Sequence, residues 1–258
     1  SIPLLFDVQQ AVDAVRWCVD NGLRCVMIPT MWLEHDPYHH VKYDPFWEVC
    51  EDLGVVIHFH SGPAPHPEYF GRDWPVEDNS DQLPGAMGAY VSEVMWWLYR
   101  PLTFMIWGGV FERFPRLKTM IVEGGTLFML PPWLRLLDHN YEDVQFSAKL
   151  GDFRSHLSMS PSEYFQRNCG IGASCVPRRD LDLREAIGTD LIMWGSDYPH
   201  PEGTWPHTAE YYQETFAGFP EDAGRKSLGE NAIQFYGLDR SHLQAVADDI
   251  GPQSTLFH

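Results

Sequence analysis

Asp197, His200, Glu202 and His207 crowd into one short stretch that follows an apolar run, Leu191 to Trp194. The apolar run reads as a buried parallel strand. Asp197 then stands just beyond its carboxyl end. In an α/β barrel all strand ends open into one mouth, so side chains at that point can meet a substrate. A carboxylate there can hold a metal or move a proton. An aspartate can also sit there only to cap a helix or close an Asx-turn. The histidines and the second carboxylate in the same loop favour chemistry.

Two further strand ends carry ionisable groups. His58-Phe59-His60 closes a second apolar run, and a strand places His58 and His60 on one face. His60, at the very end, is positioned to be a metal ligand; a hydrogen-bonded core histidine is the alternative. Ser61-Gly62 supplies a tight exit. Glu123 follows Met120-Ile121-Val122 and precedes Gly124-Gly125. A charge at the end of a buried strand is costly unless paired or metal-bound, although a carboxylate can also cap the next helix. His35, His39, His40 and His66 read as surface-loop residues. Arg72, Arg178 and Arg179 are the cations near the mouth loops, and any one could meet a substrate carboxylate or stay solvated.

The elements that would position these residues follow from periodicity and from Gly and Pro punctuation. Helices are predicted over 7–21, 43–53, about 86–114, 127–138, 180–187, 209–217 and 221–236. Asp44 is expected to cap the second, Pro131-Pro132 to disturb the fourth, and Asn231 to order the last. Strands are predicted over 23–28, 55–60, 117–122, 168–171 and 191–194. The segment 61–84 is too long for an ordinary connection and reads as an irregular binding loop. The Trp and Met residues of 86–114 read as core or subunit interface. Alternating strand and helix implies a parallel sheet. Five strands fall short of the eight of a closed barrel.

Composition narrows the function classes. The 258 residues carry a formal net charge of −18, which leaves no basic footprint for nucleic acid or anionic membranes. The same field disfavours anionic ligands unless a local cation receives them. No apolar stretch is long enough to span a membrane, and no secretory leader is visible. The five cysteines, an odd number without a CxxC pair, fit a reducing, cytoplasmic setting. No P-loop, nucleophile elbow or dinucleotide fingerprint occurs.

The chain resembles the amidohydrolase-related family, in the branch of aminocarboxymuconate-semialdehyde decarboxylase and related decarboxylases and hydrolases. The matching pieces are Tyr-Asp-Pro-Phe-Trp-Glu at 43–48, Gly-Val-Val-Ile-His-Phe-His-Ser-Gly at 54–62, and Phe-Glu-Arg-Phe-Pro-Arg-Leu-Lys at 111–118. Val-Glu-Gly-Gly at 122–125, Trp-Gly-Ser-Asp-Tyr-Pro-His at 194–200 and Leu-Gly-Glu-Asn-Ala at 228–232 complete the set. The resemblance implies a distorted (β/α)8 barrel of which residues 1–239 form strands 4–8; the polar stretch 240–258 reads by its composition as a loosely packed tail. The first three strands, with the family's strand-one metal motif, would lie upstream of Ser1. It also implies one divalent metal, zinc first and manganese second, held by His60 and Asp197.

Asp197, Glu123 and His200 are then the catalytic candidates, with His58, Trp194, Tyr198 and Glu202 as substrate contacts. The family's strand-six histidine is replaced here by Glu123. The leading expectation is hydrolysis of a small organic acid or cyclic substrate by a metal-activated water. Non-oxidative decarboxylation of an aromatic or muconate-type acid is the alternative, and a non-catalytic truncated barrel the second. A small molecule is the expected partner, with a homodimer or larger homo-oligomer as the assembly.

Overall fold

The structure is a computed structural model that describes residues 1–3, 5–71, 84–123, 127–143 and 148–257. Helix α1 (Val8–Asp20) begins where Asp7 accepts the backbone N–H of Gln10, and it buries Ala11, Val12, Val15 and Cys18. Strand β1 (Cys25–Met27) follows, then α2 (Asp44–Leu53) and β2 (Val56–His60). Gly54 ends α2 at φ 64°, the left-handed turn that glycine adopts without strain. The expected cap of α2 is different. Asp44 is the first helical residue, and its carboxylate takes a two-pronged contact from Arg113 at 2.8 and 3.0 Å.

Short α3 (His66–Phe70) lies inside the segment expected to be irregular. Helices α4 (Ala86–Trp107) and α5 (Val110–Arg113) lead to β3 (Thr119–Val122). On α4, Met95, Leu98, Leu102, Met105 and Ile106 are buried, as the core reading requires. Helix α6 (Leu130–Glu142) starts at Pro131-Pro132 rather than breaking there, because first-turn N–H groups have no partner to lose. Helix α7 (Pro161–Asn168) opens on a Ser160–Glu163 capping box and runs into β4 (Cys169–Ser174).

The helix expected over 180–187 is two turns, α8 (Arg178–Leu181) and α9 (Arg184–Ile187). Leu181 and Ile187 are both fully buried, and six residues apart on one helix they would point about 120° apart. After β5 (Ile192–Gly195) come α10 (Thr208–Phe216), α11 (Glu221–Arg225), a π-helical turn over 226–230 and α12 (Asn231–Tyr236). Asn231 does more than start α12. Its buried amide donates to the carbonyls of Thr189 and Ile192, each at 2.8 Å, and so ties α12 to the base of β5. The polar tail packs only at its end. Helix α13 (Arg240–Ile250) precedes a turn that buries Leu256 and Phe257, and Gly224 leaves room for the Phe257 ring.

The five strands form one parallel sheet in the order β1-β2-β3-β4-β5. Among the described residues β1 and β5 are its edges, with Met27 donating outward to the Ser1 carbonyl at 3.0 Å. One sheet face, with Ile57, Phe59, Ile121, Ala173 and Ile192, packs under the helices in the main core. The other face holds a small cluster, Val56, Met120 and Met193, backed by Phe235 and Tyr236 of α12. His58 and His60 alternate with the main-core residues of β2, so they belong to this second face. No helix among the described residues is long and apolar enough to cross a membrane.

Candidate active site at the strand ends

Three strands end on a non-glycine residue in the left-handed region. Glu123 follows β3 at φ 55°, Cys175 follows β4 at φ 48°, and Asp197 follows β5 at φ 59°. That conformation costs a side-chain-bearing residue of order 1 kcal/mol, and it persists where the surroundings enforce it. Its repetition at the carboxyl edge of the sheet aims three polar side chains off the strand ends.

His60 and Glu123 form the first pair. The register aligns His60 with Val122, so Glu123 sits one step above it on the neighbouring strand. His60 Nε2 lies 3.6 Å from Glu123 Oε1. His60 Nδ1 lies 2.7 Å from the Ser61 carbonyl, an acceptor only, so Nδ1 carries the proton. In the neutral imidazole this tautomer leaves the lone pair on Nε2, the form that binds a metal. Ser61 Oγ donates a short hydrogen bond to Glu123 Oε2 and fixes that carboxylate.

Asp197 and His200 form the second pair, with His200 Nδ1 at 3.4 Å from Asp197 Oδ2. The same Nδ1 lies 3.3 Å from the Glu202 backbone N–H. These contacts exclude each other: Nδ1 donates to Asp197 when protonated and accepts from Glu202 when not. The loop closes on itself through His200 N–H to the Asp197 carbonyl at 2.8 Å and Thr204 N–H to the Ser196 carbonyl at 2.9 Å. Gly203 fits where a Cβ would lie 2.8 Å from the carbonyl oxygens of both Asp197 and Ser196.

Strands β2 and β5 run parallel in one sheet, so both pairs stand at its carboxyl edge. Among the described residues no three His, Cys, Asp or Glu side chains gather as a metal shell. The donors nonetheless suit a divalent ion of the zinc or manganese kind: an imidazole nitrogen with a free lone pair, and carboxylate oxygens beside it. They fit as part of a shell.

The substrate-contact candidates fall in different places. His58 lies on the second sheet face, 2.8 Å from the Tyr236 hydroxyl, and burial, with His60 nearby, lowers its pKa to about 4. Trp194 lies on the opposite, helix-covered face, its ring 4.7 Å from that of Tyr212. The strand alternation that points Met193 and Gly195 one way points Trp194 the other. Tyr198 stands exposed at the rim against Trp205, and Glu202 is exposed in the same loop.

His35, His39 and His40 scatter: His35 stacks on Phe6, His39 on Phe104, and His40 accepts from the Lys42 backbone. Arg178 is tied to Asp182 and to the Ala217 carbonyl, and Arg179 faces Asp180. Arg72, Gly124 and Gly125 lie outside the described residues.

Two residues of the strand-end region escape sequence reasoning. Cys175 reads as one more buried thiol, yet it sits beside the Asp197 loop, its Sγ 3.8 Å from the Ser196 carbonyl. Burial raises its pKa, and the Asp197 charge adds to that. Ser61 reads as a loop exit, and its grip on Glu123 depends on a register that only the fold sets.

The chain matches the amidohydrolase family over residues 2–238. It is similar to a 2-amino-3-carboxymuconate-6-semialdehyde decarboxylase of Dictyostelium discoideum, 27% identical over 201 residues, which are 76% of this chain and 48% of that protein. The chain thus spans about half the length of this relative. Among solved structures, an amidohydrolase from Mycobacterium avium subsp. paratuberculosis superimposes with a TM-score of 0.73 at 23% identity, over 93% of this chain and 57% of that one. A 5-carboxyvanillate decarboxylase of Novosphingobium aromaticivorans, solved with bound manganese, superimposes with a TM-score of 0.70 at 14% identity, over 92% and 64%. Identities this low establish a shared fold.

Proposed function

The chain belongs to the amidohydrolase family, and from that premise we propose that it is part of a metal-dependent enzyme that decarboxylates a small organic acid without an oxidant. The geometry that carries this reading is the pair of ionisable couples at the strand ends, His60 with Glu123 and Asp197 with His200. The similarity to a carboxymuconate-semialdehyde decarboxylase favours carbon dioxide release over the hydrolysis that the sequence ranks first. In the same reading the five strands correspond to the last five of a family barrel.

His60 and Asp197 would hold the ion, with Glu123 as a further carboxylate donor. When bound, the ion would polarise substrate oxygens and withdraw charge from the carbon that loses carboxylate. The protein's own part is proton supply and orientation. The bond from carbon to carboxylate breaks, its electron pair stays on carbon, and that carbon takes a proton. Asp197 and His200 are the group that would deliver it, because the imidazole can recharge the carboxylate from solvent. Ser61 holds Glu123 against His60, and the loop 197–204 holds Asp197.

The test is metal content together with product. Manganese- or zinc-loaded protein should release carbon dioxide from a carboxymuconate semialdehyde or a carboxylated phenol and leave lactones intact. His60→Ala and Asp197→Asn should each lose most of the bound metal. Full metal retention in both variants refutes the ligand assignment. Lactone opening without carbon dioxide restores hydrolysis.

A further inference from the structure

Among the described residues four cations, Arg24, Arg100, Arg135 and Lys149, have neither a carboxylate nor a carbonyl against their charged group. Arg24, Arg135 and Lys149 are exposed, and water serves them. Arg100 is half-buried on α4. Its guanidinium carbon lies 4.2 Å from the Trp32 ring centre, 5.0 Å from Phe104 and 5.3 Å from Trp97. Trp32 and Phe104 also pack edge to face at 4.7 Å. The three rings hold the guanidinium by cation–π attraction. Among the described residues no acceptor is hydrogen-bonded to its N–H groups, and Glu68 is the carboxylate whose charge reaches it.

A partly desolvated cation normally recruits an acceptor, and the planar fork of arginine matches a carboxylate in two parallel bonds. Trp32 belongs to the loop that leaves β1 and is anchored near the loop after β2 by the Thr30 hydroxyl on the Pro63 carbonyl. The cage therefore lies along the wall formed by two strand-end loops. In a chain of net charge −18 a small organic anion needs such a local cation. We propose that Arg100, caged by Trp32, Trp97 and Phe104, is a binding site for the carboxylate of a small organic acid, separate from the His60 and Asp197 pairs.

The cage supplies its own reporter, since two of its walls are tryptophans. Benzoate and its neutral analogue benzamide are titrated into wild-type protein, Arg100→Met, Arg100→Lys and His60→Ala, and tryptophan fluorescence is read. Benzoate should give a saturable change in wild type and His60→Ala, and benzamide none. Arg100→Met should weaken binding at least tenfold, the scale of one charge-assisted contact of about 1.5–3 kcal/mol. Arg100→Lys, which keeps the charge but not the fork, should fall between. Equal responses to benzoate and benzamide overturn the proposal without any variant. Unchanged benzoate binding in Arg100→Met overturns it too, and loss in His60→Ala alone would place the anion at the metal pair instead. Failure of the metal assays leaves these outcomes untouched.

Discussion

Gly203→Ala should disarm the Asp197 loop while leaving the fold standing. A Cβ at Gly203 would lie 2.8 Å from the Asp197 and Ser196 carbonyl oxygens and 3.0 Å from that of His200. Ordinary contact begins near 3.4 Å, so the loop must move by about half an ångström to admit one methyl group. All three obstacles are backbone, which cannot rotate away as a side chain would. The strand β5 below stays fixed by its pairing with β4, so the movement falls on the loop and on Asp197.

Overpacking of this kind costs about 1–3 kcal/mol. A 1 Å misplacement of a catalytic group costs about a hundredfold in rate, so half that distance implies about tenfold. The assay compares urea unfolding with decarboxylation rate and metal content in Gly203→Ala and in a control, Gly229→Ala. A Cβ at Gly229 meets nothing within 4 Å, so the control should match wild type in all three. Wild-type rate and metal content in Gly203→Ala would refute the claim that loop closure sets the Asp197 position. An equal loss in Gly229→Ala would show that any change near β5 suffices.

Two further expectations concern the scaffold. Asn231→Leu removes both donors that satisfy the Thr189 and Ile192 carbonyls; stability to urea should drop by about 2–4 kcal/mol, since buried acceptors are left unpaired. Glu112 accepts from the Tyr164 hydroxyl and from Ser158, and these bonds, Tyr164's first, hold its carboxyl below the usual carboxylate range. A folded pKa below the unfolded one stabilises at pH values above the unfolded pKa, and the gain is lost as pH falls through the folded pKa. The stability difference between wild type and Tyr164→Phe should therefore be largest near neutrality and shrink in acid; a constant difference from neutral pH to the acid limb would assign it to packing alone.

Much of the framework was legible in one dimension. Apolar runs marked β1, β3, β5 and most of β2, because strands buried on both faces are largely apolar, while the stretch 168–171 marked only the first half of β4. Alternation along β2 put His58 and His60 on one face, and strand-end position singled out Glu123 and Asp197. Local signals did less well where tertiary packing competed with them. Asp44 looks like a cap but pairs with Arg113. The polar tail looks free, but Leu256 and Phe257 are buried. The sequence also suggested Trp194 as a pocket residue, because it cannot say which of two faces of a buried strand meets the helices.

Residue type and strand-end position by themselves determined the chemistry on offer: imidazole and carboxylate groups at the carboxyl edge of a parallel sheet. Partnership was decided only in three dimensions. Whether Ser61 grips Glu123, Cys175 neighbours Asp197 or Arg100 lies among Trp32, Trp97 and Phe104 depends on strand register and helix placement. Those are set by burial summed over the whole core, and no short segment of the chain contains that sum.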